Sequence, residues 1–485
     1  MSPFYFFAMS HNNFLKEKYN FLTPNLGQMD IRALALLSVL IVFSAVIGFK
    51  MAAFHPLVPI ALLAAVALGI VTLVNTNLGL TILIFSMLLS PEIPIAQTIE
   101  RAVTVRIEDF LIIAVFFAWF AKTSVRKELG LLRKTPLNKP ILAYLAVSIF
   151  STGLGIMSGN VSAKIGFFYI LKYIEFFMIF FLFVNNLEDK RQIKTFIFCF
   201  LLVSFIIGVL TYAQIGRIDR PTAPFEGAHP EPNTLGGYLV LTLATALGIL
   251  LYSSNTNVKL ILLGLVCFNF YPLLMTLSRS SYLAFTLLYL ILVIFSRKHR
   301  MILISLLVFA ILFLPFFIPE KVKDRVLYTF SYGSDYTFGG GKIKLEKSAA
   351  ARVETWQSAM DFLQKKPFFG FGVTGVPFMD SQYARLLAEI GIFGFLIFLW
   401  LIFAIIKSAW YIFNNSTDYF AQGLSLGFLG GFAGILLMGL AANVFVIVRI
   451  SEPFWFLCAC VMALLDIQPM KAAPGIKSMD HTDST

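Results

Sequence analysis

The sequence predicts an all-α polytopic membrane protein of about 14 transmembrane helices, with a large, partly helical loop on the outer side of the membrane. Of its 485 residues, 58% are hydrophobic and only 13% are charged, and the mean hydropathy is +0.83. Soluble domains keep about a quarter of their residues charged. Many apolar runs approach the roughly 20 residues that a spanning helix needs. These runs must be helical, because lipid offers no partner for backbone polar groups.

The predicted spans follow from hydropathy along the chain. They are Ile31–Phe49, Leu57–Val74, Leu78–Leu89, Ile107–Ala121, Ile141–Met157, Gly166–Val184, Ile193–Tyr212, Thr234–Tyr252, Val258–Met275, Tyr282–Phe295, Met301–Ile318, Leu386–Ile406, Ala421–Val446 and Pro453–Leu465. The third run is short and is also compatible with a re-entrant segment. In that case the membrane orientation of every segment upstream of it would be reversed.

Basic residues between the spans predict the orientation. Short segments at 122–139, 190–194 and 297–300 are rich in Lys and Arg, and alternate spans place all three on one face. The positive-inside rule makes that face cytoplasmic, and both termini then fall inside. Topology also accounts for most of the formal charge of +12. A nucleic-acid partner is not expected, because no Lys/Arg-rich soluble domain is present.

The spans divide the chain into four predicted regions. They are N-terminal helices at 1–212, a core at 213–406 with outer loops 213–233 and 319–385, C-terminal helices at 407–466 and a cytoplasmic tail at 467–485. Within the longer outer loop, Ala349–Lys365 has the apolar stripe of an amphipathic helix, and a glycine-rich turn follows Pro367. The stretch Tyr332–Lys347 is expected to be mobile.

The positive-inside rule makes arginines on the outer face informative, and four of them stand out. Arg217 and Arg220 are in the first outer loop, Arg279 is at the mouth of a span and Arg352 is on the amphipathic helix. Arginine donates two parallel hydrogen bonds to phosphate and keeps its charge. The pattern therefore indicates an anionic substrate held near the bilayer. Each arginine alone is equally compatible with anchoring to a lipid headgroup.

Outer carboxylates are candidates for proton transfer. A proline-rich loop after Arg220 holds Glu226, His229 and Glu231; His229 is a candidate proton carrier or a solvated loop histidine. Asp380 is the candidate general base. Glu389 stands near the start of an apolar span, where pairing with Arg385 on the same helical face would offset its cost.

Two further charged pairs have i, i+3 spacing, Lys172 with Glu175 and Arg449 with Glu452. We expect both pairs to be structural, with Lys172 facing the substrate as the alternative. Neither a GxxxxGK[ST] loop nor a metal-ligand spacing occurs in the sequence. No cofactor and no metal is therefore expected, and an enzymatic donor must carry its own activation.

Several segments together resemble the O-antigen ligase and polymerase superfamily of bacterial envelope glycan assembly. They cover about residues 200–400. The segments are the Arg220–Asn233 loop, Leu277-Ser278-Arg279-Ser280, Ala351–Trp356, Pro367–Gly372, and Asp380-Ser381-Gln382-Tyr383 leading to Glu389-Ile390-Gly391. Arg106–Asp109 and Lys172–Glu175 are similar to the family more loosely. Each segment alone is weakly specific, but their order and spacing make the combination fairly specific.

The resemblance implies a membrane glycosyltransferase at the periplasmic face of the bacterial inner membrane. Such enzymes move a glycan from a polyprenyl pyrophosphate carrier, such as undecaprenyl pyrophosphate, to an acceptor hydroxyl, with inversion and without nucleotide or metal. Arg220 and Arg279, with Arg352 as a third, would hold the pyrophosphate. The expected partners are the lipid-linked glycan donor, a glycan or lipid A core acceptor, and membrane lipids.

Three alternatives remain open from the sequence. Ligases that load lipid A core often have histidine where this chain has Asp380, so the sequence leans toward a polysaccharide polymerase over an O-antigen ligase. A transporter of a lipid-linked or small anion would place its charges at the membrane midplane, often in repeated halves. A structural scaffold would not need the outer arginines.

Overall fold

The structure is a computed structural model that describes residues 57–97, 102–125, 133–227, 230–331, 334–338, 341–345 and 347–467. The first predicted span, Ile31–Phe49, lies outside these residues, as does the tail after residue 467. The chain divides into two units, Met1–Ala61 and Leu62–Thr485. Only the start of one helix is described in the first unit, and every site below belongs to the second.

Helices make up almost all of the described chain. In chain order they are α1 Leu57–Val74, α2 Thr76–Leu89, α3 Ile107–Val125, α4 Asn138–Met157, α5 Ala163–Asn186, α6 Lys190–Gln214, α7 Pro232–Tyr252, α8 Thr256–Met275, α9 Arg279–Phe295, α10 Arg300–Phe317, α11 Glu320–Ser331, α12 Lys347–Lys365, α13 Gln382–Asn415, α14 Tyr419–Met438 and α15 Val448–Ile467. A short 3-10 turn, Arg297–His299, joins α9 to α10.

Eight of the described helices are long and apolar enough to cross a membrane. They are α4, α5, α6, α7, α8, α13, α14 and α15. Shorter apolar helices occur at Thr76–Leu89, Arg279–Phe295 and Arg300–Phe313. The protein is therefore a multi-pass helical membrane protein, whereas the total of 14 spans remains a prediction.

Two short antiparallel hairpins add to the helical framework. β1 (Glu92–Gln97) pairs with β2 (Ala102–Arg106), and β3 (Ser334–Phe338) pairs with β4 (Gly341–Leu345). The second hairpin covers most of Tyr332–Lys347, which was expected to be mobile. That expectation is wrong, because the residues of β3 and β4 are paired. The amphipathic helix predicted at Ala349–Lys365 is confirmed as α12.

The predicted span Ala421–Val446 is too long. Helix α14 ends at Met438, and a non-helical segment runs from there to α15. Within it, the Asn443 side chain donates a hydrogen bond to the Met379 carbonyl at 2.6 Å. The segment is apolar because it packs inside the protein, and hydropathy does not distinguish that burial from a longer helix.

A break at Gly391 divides the 34-residue helix α13. Gly391 has φ of +67°, and a Cβ there would lie 2.4 Å from the Phe368 carbonyl oxygen. The Ile392 amide donates to the Pro367 carbonyl at 2.9 Å. The glycine-rich turn after α12 therefore docks its backbone onto the break, and only glycine fits that approach.

The core centres on α7 and α14. A Cβ on Gly248 of α7 would lie 2.3 Å from the Gly423 carbonyl oxygen of α14. Small residues let membrane helices approach this closely and gain dispersion contacts along their length. Helix α7 is consequently buried along almost its whole length. It forms a rigid wall for the site at its N-terminal end.

The three basic segments gather at one end of the bundle. Arg133 Nε lies 2.7 Å from Asp466 Oδ2 near the end of α15. Lys190 pairs with Asp418 at the start of α14, and Lys298 Nζ lies 5.9 Å from the centroid of the neighbouring Tyr419 ring. The predicted clustering of these segments on one face is thus present in the geometry.

Candidate functional site

At the other end of the bundle, the N-termini of four helices surround a cavity of about 850 Å³. Helix α7 begins at Pro232, α9 at Arg279, α13 at Gln382 and α15 at Val448, and residues at or next to each start line the cavity. Helix N-termini direct unsatisfied N–H groups and a partial positive charge outward. Their convergence favours a negatively charged ligand.

Three of the four predicted outer arginines line this cavity, and a fourth arginine joins them. Arg220, Arg279 and Arg352 come from the proline-rich loop, the start of α9 and helix α12, and Arg325 comes from α11. All four are partly exposed. Segments distant in the sequence thus bring four permanent positive charges to one chamber.

Arg220 is held against the loop that precedes α9. Its Nε donates to the Thr276 carbonyl at 3.1 Å, and its Nη2 donates to the Leu277 carbonyl at 3.3 Å. Leu277 has φ of +51°, which belongs to the sparsely populated left-handed region. The Ser278 side chain caps α9 and donates to Asn233 Oδ1 at 2.7 Å. These contacts fix Arg220 beside the helix that begins with Arg279.

The positive charges repel one another. Burial lowers the pKa of Arg220, and the neighbouring charges of Arg325 and Arg279 lower it further, whereas Glu231 opposes them. Arginine still remains charged at any physiological pH. An anionic ligand between these groups would relieve the repulsion, which is a reason for such a ligand to bind here.

Two carboxylates share the chamber with the arginines. Desolvation raises the pKa of Asp380, and the Arg352 charge opposes that rise. Burial raises the pKa of Glu231, and the charge of Asp380 raises it further. Both residues line the cavity. A carboxylate with a raised pKa is a better proton acceptor, so this pair suits acid–base chemistry.

Glu226 also lines the cavity. It accepts a hydrogen bond from Thr234 Oγ1 at 2.8 Å. Burial raises its pKa to about 7, and the Thr234 hydrogen bond partly opposes the shift. The next residue, Gly227, donates its amide to Glu92 at 3.0 Å. Glu226 thus ties the proline-rich loop to α7 at the edge of the chamber.

Two other predicted site residues that the structure describes do not line the cavity. Arg217 is exposed outside it. Glu389 is buried behind the lining, where its Oε2 lies 2.9 Å from Arg385 Nε and its Oε1 accepts from the Thr374 amide at 2.9 Å. The predicted Arg385 pairing is therefore confirmed. His229 lies outside the described residues.

Lys172 lines the cavity and also belongs to an ion-pair network. Its Nζ lies 2.7 Å from Asp109 Oδ1 and 2.9 Å from Glu175 Oε2, so the predicted pair with Glu175 is confirmed. Arg106 pairs with Glu92 and, at 3.3 Å, with Glu108. The network forms a second, mixed-charge wall of the chamber.

The predicted pairing of Arg449 with Glu452 is wrong. Arg449 donates to the carbonyls of Leu88, Ser90 and Phe225 at 2.6, 3.0 and 2.8 Å, and its Nε lies 3.5 Å from Glu92 Oε1. Side chains in the first turn of a helix lean toward its N-terminus. Arg449 therefore reaches into the adjoining loops rather than down the helix toward Glu452.

One wall of the cavity is apolar. It consists of side chains on α3 and α5, namely Phe110, Ile112, Ile113, Phe168, Leu171 and Met178. Ile113 is 41% exposed and Leu171 is 39% exposed. Both lie on helices predicted to span the membrane, so their exposed surface is available to lipid. The charged chamber therefore adjoins an apolar surface suited to a lipid tail.

Three arginines line the cavity although they were not singled out as candidate site residues, namely Arg106, Arg325 and Arg385. Arg325 lies in the long outer loop, on the amphipathic helix α11. Arg106 falls in another predicted outer loop, between the spans Leu78–Leu89 and Ile107–Ala121. The positive-inside rule therefore marks both arginines as it marks the four that were selected. The pairing of Arg106 with Glu92 could not be predicted, because it depends on a hairpin that hydropathy does not reveal.

Comparison with known proteins agrees with this geometry. Residues 264–399 match the family model Wzy_C, described as O-antigen ligase. The match includes Arg279, Arg325, Arg352 and Asp380. A search of curated protein sequences found no match to the chain.

Proposed function

Because the chain carries an O-antigen ligase family region at residues 264–399, we propose that it is a periplasm-facing glycosyltransferase of the bacterial inner membrane. Its donor is a glycan linked to polyprenyl pyrophosphate, and its acceptor is a sugar hydroxyl. The observation that carries this proposal is the convergence of four arginines and four helix N-termini on one cavity. The basic segments at the opposite end of the bundle support the orientation.

Arg220 and Arg279 clamp the pyrophosphate, with Arg325 and Arg352 completing the basic wall. Negative charge grows on the pyrophosphate as the bond between the anomeric carbon and the phosphate oxygen breaks. Fixed cations and helix N-termini stabilise that charge without reorganising. The leaving group departs as polyprenyl pyrophosphate, and the two electrons of the broken bond stay on its oxygen.

The acceptor hydroxyl attacks the anomeric carbon from the face opposite the leaving group, so the anomeric configuration inverts. Asp380 accepts the hydroxyl proton as the new glycosidic bond forms. Desolvation raises the pKa of Asp380 and so improves it as a proton acceptor. Each step is complete without a nucleotide or a metal ion.

The apolar wall on α3 and α5 holds the first part of the polyprenyl chain. Helix α12 and the glycine-rich turn cover the chamber and exclude water, which would otherwise hydrolyse the donor. Glu389 acts as a positioning residue, because it joins the turn at Thr374 to Arg385 in the cavity lining.

The presence of Asp380 favours a polysaccharide polymerase, with a growing glycan as the acceptor. The alternative, an O-antigen ligase that loads lipid A core, uses the same donor chemistry. The two differ in the acceptor alone, so a direct comparison of acceptors separates them.

The test uses purified protein in lipid nanodiscs with a glycan-linked polyprenyl pyrophosphate donor. We expect release of polyprenyl pyrophosphate together with glycan transfer to a short glycan acceptor, and less transfer to lipid A core. Transfer to lipid A core alone would reverse the choice of acceptor. Movement of the donor across a sealed vesicle without bond cleavage would identify a transporter and refute the enzyme.

A further inference from the structure

A group of carboxylates extends from the mixed-charge wall of the cavity into the protein interior. Ligand oxygens of Glu108, Asp109 and Glu452 all lie within 4.8 Å of one another. Glu108 and Glu452 are fully buried. The first two residues begin α3 and the third lies in the first turns of α15, so the group joins two helices that are far apart in the sequence.

The ion pairs around this group do not balance its charge. Five carboxylates (Glu92, Glu108, Asp109, Glu175 and Glu452) interact with three cations (Arg106, Lys172 and Arg449). Fully ionised, the cluster would carry two excess negative charges in a buried setting. Counting Glu226, which interacts with Arg449 and Glu92, would only enlarge the excess. Unbalanced buried charge is costly enough that a compensating species is required.

Carboxylate oxygens without a hydrogen-bond partner indicate where a compensating positive species would bind. Among the described residues, both carboxylate oxygens of Glu452 and Oε2 of Glu108 are buried with no hydrogen-bond partner. Buried carboxylate oxygens are nearly always hydrogen-bonded or bound to a metal. These free oxygens belong to two of the three residues whose ligand atoms approach one another. The third residue, Asp109, accepts hydrogen bonds from Lys172 and from the Arg106 amide and keeps lone pairs for an ion.

We propose that Glu108, Asp109 and Glu452 bind one hard divalent cation, Ca²⁺ or Mg²⁺. Carboxylate oxygens are the ligands these ions prefer. Two oxygens on opposite sides of a Ca²⁺ ion stand about 4.6–5.2 Å apart, so ligand atoms that all lie within 4.8 Å of one another can surround one Ca²⁺ ion. The smaller Mg²⁺ ion would draw them closer, to about 4.2 Å or less. The two positive charges of either ion offset the two excess negative charges of the five carboxylates and three cations. The ion links α3 to α15 behind the cavity and contributes to stability rather than to the transfer step.

Two protons shared among the carboxylates would balance the same charge, and the substitution Glu452→Gln separates the two cases. Glutamine resembles a protonated glutamate but is a poor ligand for a hard cation. A cation site therefore loses affinity on this change, by about tenfold or more. A protonated cluster would be almost indifferent to it.

The experiment measures metal content and melting temperature of the full chain in nanodiscs after chelation and return of Ca²⁺ or Mg²⁺ at about 1 mM, near the weak end of protein calcium sites. We expect about one bound ion per chain and a melting temperature that rises with the ion. Glu452→Gln should lose both effects, whereas Glu188→Gln, an exposed carboxylate remote from the cluster, should keep both.

Wild-type protein that retains neither ion and melts identically with and without chelator would overturn the proposal. That measurement does not depend on whether the Glu452 variant folds. An equal gain of ion by wild type and Glu452→Gln would also overturn it, because the ion would then reside on lipid or elsewhere on the protein.

Discussion

At the scale of single residues, the outward arginines are what connects the sequence to the site. The positive-inside rule made outward arginines informative, and three of the four selected in this way line one cavity. Arg217 shows the limit of the rule, because it lies in the same outer loop as Arg220 and yet does not line the chamber. Direction within a loop depends on local contacts, such as those of Arg220 with the Thr276 and Leu277 carbonyls.

Replacing Arg279 with Ala should lower the transfer rate by about 10²–10³-fold, by analogy with loss of one transition-state donor. Arg279→Lys should recover part of the rate, because lysine keeps the charge but not the planar fork. Initial rates of polyprenyl pyrophosphate release measure both. Arg217→Ala and the exposed Arg191→Ala should stay near the wild-type rate.

The rate of transfer should fall on acidification as Asp380 takes up a proton, because the protonated carboxyl can no longer act as a base. Desolvation raises its pKa, so the loss should begin at higher pH than for an ordinary aspartate, with Arg352 opposing the shift and Glu231 facing the same chamber. A pH–rate profile measures the midpoint. Removing the opposing charge with Arg352→Gln should move that midpoint upward, and an unmoved midpoint would contradict this electrostatic account.

At the scale of elements, the apolar runs predicted most helices well, and the errors have physical causes. The run Leu57–Val74 matches α1, because hydropathy and length are sufficient for a continuous helix. The end of α14 was misplaced, because residues after Met438 are apolar for burial inside the protein. The stretch Tyr332–Lys347 was misjudged because its pairing as a hairpin depends on strand partners rather than on composition.

The break in α13 provides a test of one element. Gly391→Ala forces a side chain into a left-handed conformation and against the Phe368 carbonyl, which should cost more than the 1–2 kcal/mol of backbone strain alone. Thermal unfolding in detergent measures the loss. Gly264→Ala is the matched control, because a Cβ there meets nothing within 4 Å, and alanine in α8 should be neutral or slightly stabilising.

At the scale of the whole molecule, the sequence predicted a helical membrane protein and three of the four arginines of the basic wall. It could not predict the cluster of Glu108, Asp109 and Glu452, because Glu452 is distant in the chain and no local spacing marks it. Long-range packing alone brings such residues together. The same limit explains the wrong partner assigned to Arg449, whose contacts with Leu88, Ser90 and Phe225 are all remote in sequence.

The proposed orientation predicts which end of the bundle meets the periplasm. In a variant without the four native cysteines, Arg217→Cys should react with a membrane-impermeant maleimide on intact spheroplasts. Arg191→Cys should react only after the membrane is permeabilised. Gel-shift labelling reads both positions, and labelling with the sides exchanged would place the cavity in the cytoplasm.

The most direct measurement is a cryo-EM structure of the protein in nanodiscs with polyprenyl pyrophosphate bound. We expect density for the two phosphates in the cavity at the four helix N-termini, with phosphate oxygens within about 3.2 Å of the Arg220 and Arg279 guanidinium groups. We expect the lipid chain to lie along Phe110 and Leu171. Phosphates bound at the opposite end of the bundle, beside Lys259 and Lys298, would contradict it.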